Sequence, residues 1–136
     1  MTVFAALAEA PMTSERSQRQ TVLLVDDDAT LRGLLARTLA DEGYAVLTAG
    51  DGEEALALAG TLDGQLGLVV TDIRMPVMDG LTLAAHLARR DPAPPILFIS
   101  GFTADRNIPG PVLEKPFMPT AFLEQVARLL PPVQHL

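Results

Sequence analysis

Asp26, Asp27 and Asp72 each lie at the end of an apolar run, and so does Lys115. Asp26 and Asp27 follow Thr21-Val22-Leu23-Leu24-Val25, with Asp28 beside them. Asp72 follows Gly67-Leu68-Val69-Val70-Thr71, and Lys115 follows Val112-Leu113-Glu114. Short apolar runs of this kind read as strands. In an open parallel α/β sheet, ligands bind outside the carboxyl ends of the strands. If these runs are neighbouring parallel strands, the acids and the lysine meet in one pocket. Carboxylates held that close repel one another unless a cation sits among them. The set therefore reads as a Mg²⁺ site with one aspartate free to do chemistry.

The elements that must position these residues alternate along the chain. A strand over 21–25 leads to a helix from about Ala29 to Glu42, with Leu31, Leu34, Leu35 and Leu39 at helical spacing and Gly43 just past its end. A strand over 44–49 and a Gly50-Asp51-Gly52 turn precede a helix over 53–59. A strand over 66–71 leads through Pro76 to a helix over 80–89, stopped by Asp91-Pro92. Ile96-Leu97-Phe98-Ile99 is the next strand, Val112-Leu113-Glu114 the last, and a helix spans about 120–130. Nearly continuous apolar strands imply a parallel sheet covered on both faces. Right-handed crossovers then give a doubly wound, flavodoxin-like α/β fold with five strands in the order 2-1-3-4-5. The segment 101–111 holds two prolines and two glycines, so the helix expected between the last two strands is absent or one turn long.

Composition narrows the function classes. The 136 residues suffice for one domain, placed at 20–131, with an N-terminal extension over 1–19 and a short tail over 132–136. The extension is read as a flexible tail, or else as a short helix from Val3 to Ala10. A net charge of −7 argues against a nucleic-acid surface. The absence of cysteine excludes disulfides, thiol catalysis and cysteine-bound zinc. No apolar stretch is long enough to span a membrane, and the N-terminus lacks the basic region of a secretory signal, so a cytoplasmic location is expected.

Val25-Asp26-Asp27-Asp28, the stretch from Thr71 through Asp72-Ile73-Arg74-Met75-Pro76-Val77-Met78-Asp79 to Gly80, Ser100-Gly101, and Lys115-Pro116-Phe117 together resemble the response-regulator receiver domain of two-component signalling. Each piece alone is common; all of them, in order and at the ends of successive strands, are specific. The resemblance covers roughly Thr21 to Leu130. It implies that Asp72 accepts a phosphoryl group and that Asp27 directly, and Asp26 through water, hold Mg²⁺ with Asp72. The Arg74 backbone carbonyl would be a further metal ligand. Ser100 would hydrogen-bond the phosphoryl group and Lys115 would pair with it. The Lys115–Pro116 bond would be cis. The donor would be a sensor histidine kinase or a histidine phosphotransferase, and the domain would signal to a partner protein without being an enzyme in its own right.

The chemistry supports these roles separately. Mg²⁺ prefers hard oxygen ligands and keeps several waters. A carboxylate can attack phosphorus to give an acyl phosphate. Taken singly, Asp26 and Asp27 fit a helix N-cap and first turn, as Asp28 does in the first turn, and Asp79-Gly80 fits an N-cap. His86 and His135 read as structural or solvated. Two departures stand out. Such domains usually carry an aromatic residue three positions before the lysine, where this chain has Val112. The segment after Ser100 is also short, which suggests signalling through ordering of the 101–111 loop. Arg74 and Phe102 flank the site and could obstruct water that would hydrolyse the acyl phosphate. Val112 favours an alternative, a receiver-like interaction module that is not phosphorylated. An aspartyl phosphatase is disfavoured, because Arg74 stands where those enzymes commonly place a second acid.

Overall fold

The computed structural model describes residues 21–62, 64–101 and 107–131. Its elements are β1 (Thr21–Val25), α1 (Ala29–Asp41), β2 (Ala45–Ala49), α2 (Gly52–Gly60), β3 (Leu66–Asp72), α3 (Gly80–Leu87), β4 (Ile96–Ser100), β5 (Val112–Glu114) and α4 (Pro119–Leu129). All strand pairs are parallel, and the sheet order is β2-β1-β3-β4-β5. This is the doubly wound order expected from the sequence.

Side-chain alternation along the buried central strands explains the two layers. Val22 and Leu24 of β1 point to one face, with Leu68 and Val70 of β3 and Leu97 and Ile99 of β4. Leu35 and Leu39 of α1 and Phe122 and Val126 of α4 cover that face. Leu23, Val25 and Val69 point the other way, under Ala55 and Ala59 of α2 and Leu83 and Leu87 of α3. Phe122 and Leu39 are fully buried, so truncating either to alanine would cost about 2–5 kcal/mol. The outer strands are less covered: β5 leaves Val112 and Glu114 exposed, and most of β2 is exposed or half-buried.

Each helix begins at the carboxyl end of a strand, and aspartates start three of them. Asp28 accepts from the amides of Thr30 and Leu31, Asp51 from Glu54, and Asp79 from Thr82. Asp28 is therefore the N-cap of α1 and not a first-turn acid as expected. Its backbone is extended, with ψ at 104°, and the helix starts one residue later. Gly43 ends α1 at φ 95°, a conformation glycine adopts without strain.

Among the described residues no helix lies between β4 and β5, and 107–111 is irregular. The middle of that connection, including Phe102, lies outside the described residues, as do the extension, the tail and His135. His86 is exposed on α3. No helix of the described residues is long and apolar enough to cross a membrane.

Candidate functional site

Sheet register delivers the acids and the lysine to one edge. Asp72 is the last residue of β3, one later than the sequence suggested, and pairs with Ile99 of β4. Asp26 follows β1 directly, and its amide donates to Ala49 O at 3.1 Å. Ser100 closes β4, and its carbonyl accepts from the Lys115 amide at 2.8 Å, which fixes Lys115 past the end of β5. The Lys115–Pro116 bond is cis, as the resemblance implied.

The side chains then converge. Lys115 Nζ donates to Asp72 Oδ2 at 3.1 Å and lies 3.9 Å from Asp26 Oδ2. Asp26, Asp27 and Asp72 each offer a carboxylate oxygen, and the three oxygens lie within 4.8 Å of one another. Asp27 is exposed, Asp72 is buried, and Asp26 is 1% exposed. Ser100 is buried at the end of the neighbouring strand. Arg74 lies exposed in the loop that leaves β3, two residues beyond Asp72.

Electrostatics single out Asp26. Its Oδ1 accepts the Asp28 amide at 2.9 Å, but its Oδ2 is buried and has no hydrogen-bond partner among the described residues. Burial pushes this carboxyl above its ordinary range. The Asp28 amide opposes that, Asp72 adds to it, Lys115 opposes it and Asp27 adds to it, in falling order of size. A buried carboxylate oxygen without a donor is unfavourable unless positive charge reaches it. Three carboxylates that each bring an oxygen within 4.8 Å of the others, one of which also has a buried oxygen without a donor, suit a small oxygen-seeking divalent cation such as Mg²⁺.

The loop between β3 and α3 holds Asp72 from behind. Gly80 donates to the Ile73 carbonyl at 2.7 Å, and a Cβ at Gly80 would overlap the Asp72 carbonyl oxygen. Met78 packs where a Gly52 side chain would otherwise sit. Val77, between Pro76 and Met78, adopts φ 72°, with the Met78 amide donating to the Pro76 carbonyl at 2.8 Å. That tight turn is strained for a β-branched residue. Sequence reasoning read Gly80 only as part of a cap and missed Val77. It also missed Arg32, whose Nη1 donates to the Asp26 carbonyl at 2.6 Å. The available signal for Arg32 was a basic residue one turn into the helix that follows the acids.

Comparison with known proteins gives the same assignment. The response regulator receiver domain family matches residues 22–109. The sensor kinase CckA of Brucella abortus is 39% identical over an alignment of 111 residues that covers 76% of this chain and 12% of that protein. The chain thus spans a small part of the curated relatives it matches. Among solved structures, the receiver domain of a hybrid histidine kinase CckA superposes with a TM-score of 0.73 at 35% identity, covering 81% of this chain and 98% of that one. A CheY from Borrelia burgdorferi, in complex with CheX, BeF3 and Mg, superposes at 0.73 with 27% identity, covering 79% and 87%. In its motifs, its sheet order and the position of its acids, this chain belongs to the response regulator receiver domain family.

Proposed function

We propose that this receiver domain takes a phosphoryl group from a phosphohistidine onto Asp72. One observation carries the proposal: Lys115 Nζ lies 3.1 Å from Asp72 Oδ2, and Asp26 and Asp27 each bring a carboxylate oxygen within 4.8 Å of one on Asp72. A carboxylate oxygen of Asp72 would form a bond to phosphorus as the phosphorus–nitrogen bond of the donor breaks, its electron pair returning to the imidazole. Lys115 would pair with the negative charge on the phosphoryl oxygens, and Ser100 would hydrogen-bond one of them. Asp26, Asp27, Asp72 and the Arg74 backbone carbonyl would hold Mg²⁺, which when bound supplies further positive charge to those oxygens. The two acids other than Asp72 thus serve binding, and Asp72 alone changes covalently.

The donor in this proposal is a sensor histidine kinase or a histidine phosphotransferase in the cytoplasm. The likeness to CckA, a sensor kinase, favours a relay or kinase-associated role. Phosphotransfer profiling against the sensor kinases of the host tests the assignment. Label should reach the wild-type chain from a small subset of donors and should not reach Asp72→Ala. Equal labelling of Asp72→Ala would reject Asp72 as the acceptor.

Val112 supports a second reading, an interaction module regulated by protein binding without phosphorylation. It is 39% exposed on β5, where it cannot swing a ring between buried and exposed positions. Beryllofluoride with Mg²⁺ separates the two readings. Amide shifts at Asp72, Ser100 and Lys115 favour phosphorylation, and an unchanged spectrum favours the module.

A further inference from the structure

Arg32 stands outside the group of acids, yet it touches the backbone that presents them. Its guanidinium reaches back over the first turn of α1 to donate to the Asp26 carbonyl at 2.6 Å. Nη1 also lies 3.5 Å from where a side chain at Gly50 would begin, an ordinary contact distance, so the guanidinium rests beside the start of the turn after β2. The Gly50 amide is itself held by Glu54 Oε1 at 2.6 Å. An arginine so near carboxylates commonly forms a paired fork with one of them. Arg32 pairs with none among the described residues. Its bond goes to a carbonyl, which leaves the carboxylate oxygens to Lys115 and to a cation.

The consequence is a backbone locked from several sides. Ala49 O holds the Asp26 amide, the Asp28 amide holds Oδ1, and Arg32 holds the carbonyl. The carbonyl of Asp26 belongs to the same peptide plane as the amide of Asp27. Fixing that plane fixes where the Asp27 carboxylate starts. We propose that Arg32 is a positioning residue that sets the Asp26–Asp27 peptide for binding a divalent cation. This rests on the proposed Mg²⁺ site.

The sign of the effect separates positioning from simple charge. As a bare positive charge, Arg32 repels a divalent cation, and its removal would tighten binding. As a positioning residue, its removal loosens the ligands, and losses of about tenfold are typical for such outer partners. Titration calorimetry with Mg²⁺ at fixed pH and ionic strength reads the difference, with circular dichroism to verify the fold. Arg32→Ala should bind about tenfold more weakly than wild type. Arg32→Met, which keeps the apolar stem, should behave the same if the alanine variant folds poorly. Arg32→Lys, which keeps one donor, should recover to within about threefold of wild type. Unchanged or tighter binding by both Arg32→Ala and Arg32→Met would overturn the inference while leaving the phosphoacceptor reading intact. A wild-type chain that does not bind Mg²⁺ would overturn both.

Discussion

Asp26 sets the balance between stability and binding at the level of single residues. Burial, then the neighbouring Asp72, raise its carboxyl above the ordinary range despite the Asp28 amide and Lys115. The folded domain therefore holds this proton to a higher pH than the unfolded chain does. Its contribution to stability is complete below the unfolded carboxyl's range and is lost as pH rises through the folded value. Without divalent cations, Asp26→Asn should be more stable than wild type at neutral pH by about 1–2 kcal/mol, the usual penalty of an unsatisfied buried group. That advantage should vanish as pH falls below the ordinary carboxylate range, and urea melts in chelator from about pH 3 to about pH 8 would measure it. Mg²⁺ at a hundredfold over its Kd should add about 2.7 kcal/mol to wild type and much less to Asp26→Asn. These acids and Lys115 were legible in the sequence because each follows an apolar run. Which of three consecutive aspartates caps the helix was not, since any of them can fill that place. Arg32 was not legible either, because a bond to a backbone carbonyl leaves no paired side chain to find.

The connection from β3 to α3 is the element on which the acceptor depends. Gly80 packs against the Asp72 carbonyl with no space for a methyl group. Gly80→Ala should cost about 3 kcal/mol, as overpacking in tight sites does, and should slow phosphorylation of the fraction that stays folded. Denaturant melts and labelling rates check the two effects. Val77 strains the same loop in the left-handed region while its side chain is 77% exposed. Val77→Gly should relieve about 1–3 kcal/mol of strain, offset by about 0.5–1 kcal/mol of added freedom in the unfolded chain. A net gain of about 1 kcal/mol is expected, and a loss would show that the turn is not strained. Valine carries no preference for such a turn, so nothing in the residue type points to it. Pro76 and Asp79-Gly80 did reveal that the loop ends in a helix start, because cap and turn chemistry is local.

At the scale of the molecule, the described residues form a sheet covered on both faces, and the acids and Lys115 gather at the carboxyl ends of its strands. Strand order and both layers were legible because central strands buried on both sides read as unbroken apolar runs. The expectation of a missing or one-turn helix after Ser100 came from two prolines, two glycines and the lack of an amphipathic pattern, and the described residues 107–111 agree with it. The account depends on Asp72 as the acceptor within a cation-binding site. The most direct measurement is the intact mass of the chain after incubation with a small acyl-phosphate donor, with and without Mg²⁺. One phosphoryl group should be added only with Mg²⁺ present, and Asp72→Ala should remain unmodified. No addition to the folded wild-type chain, or equal addition to Asp72→Ala, would contradict the account.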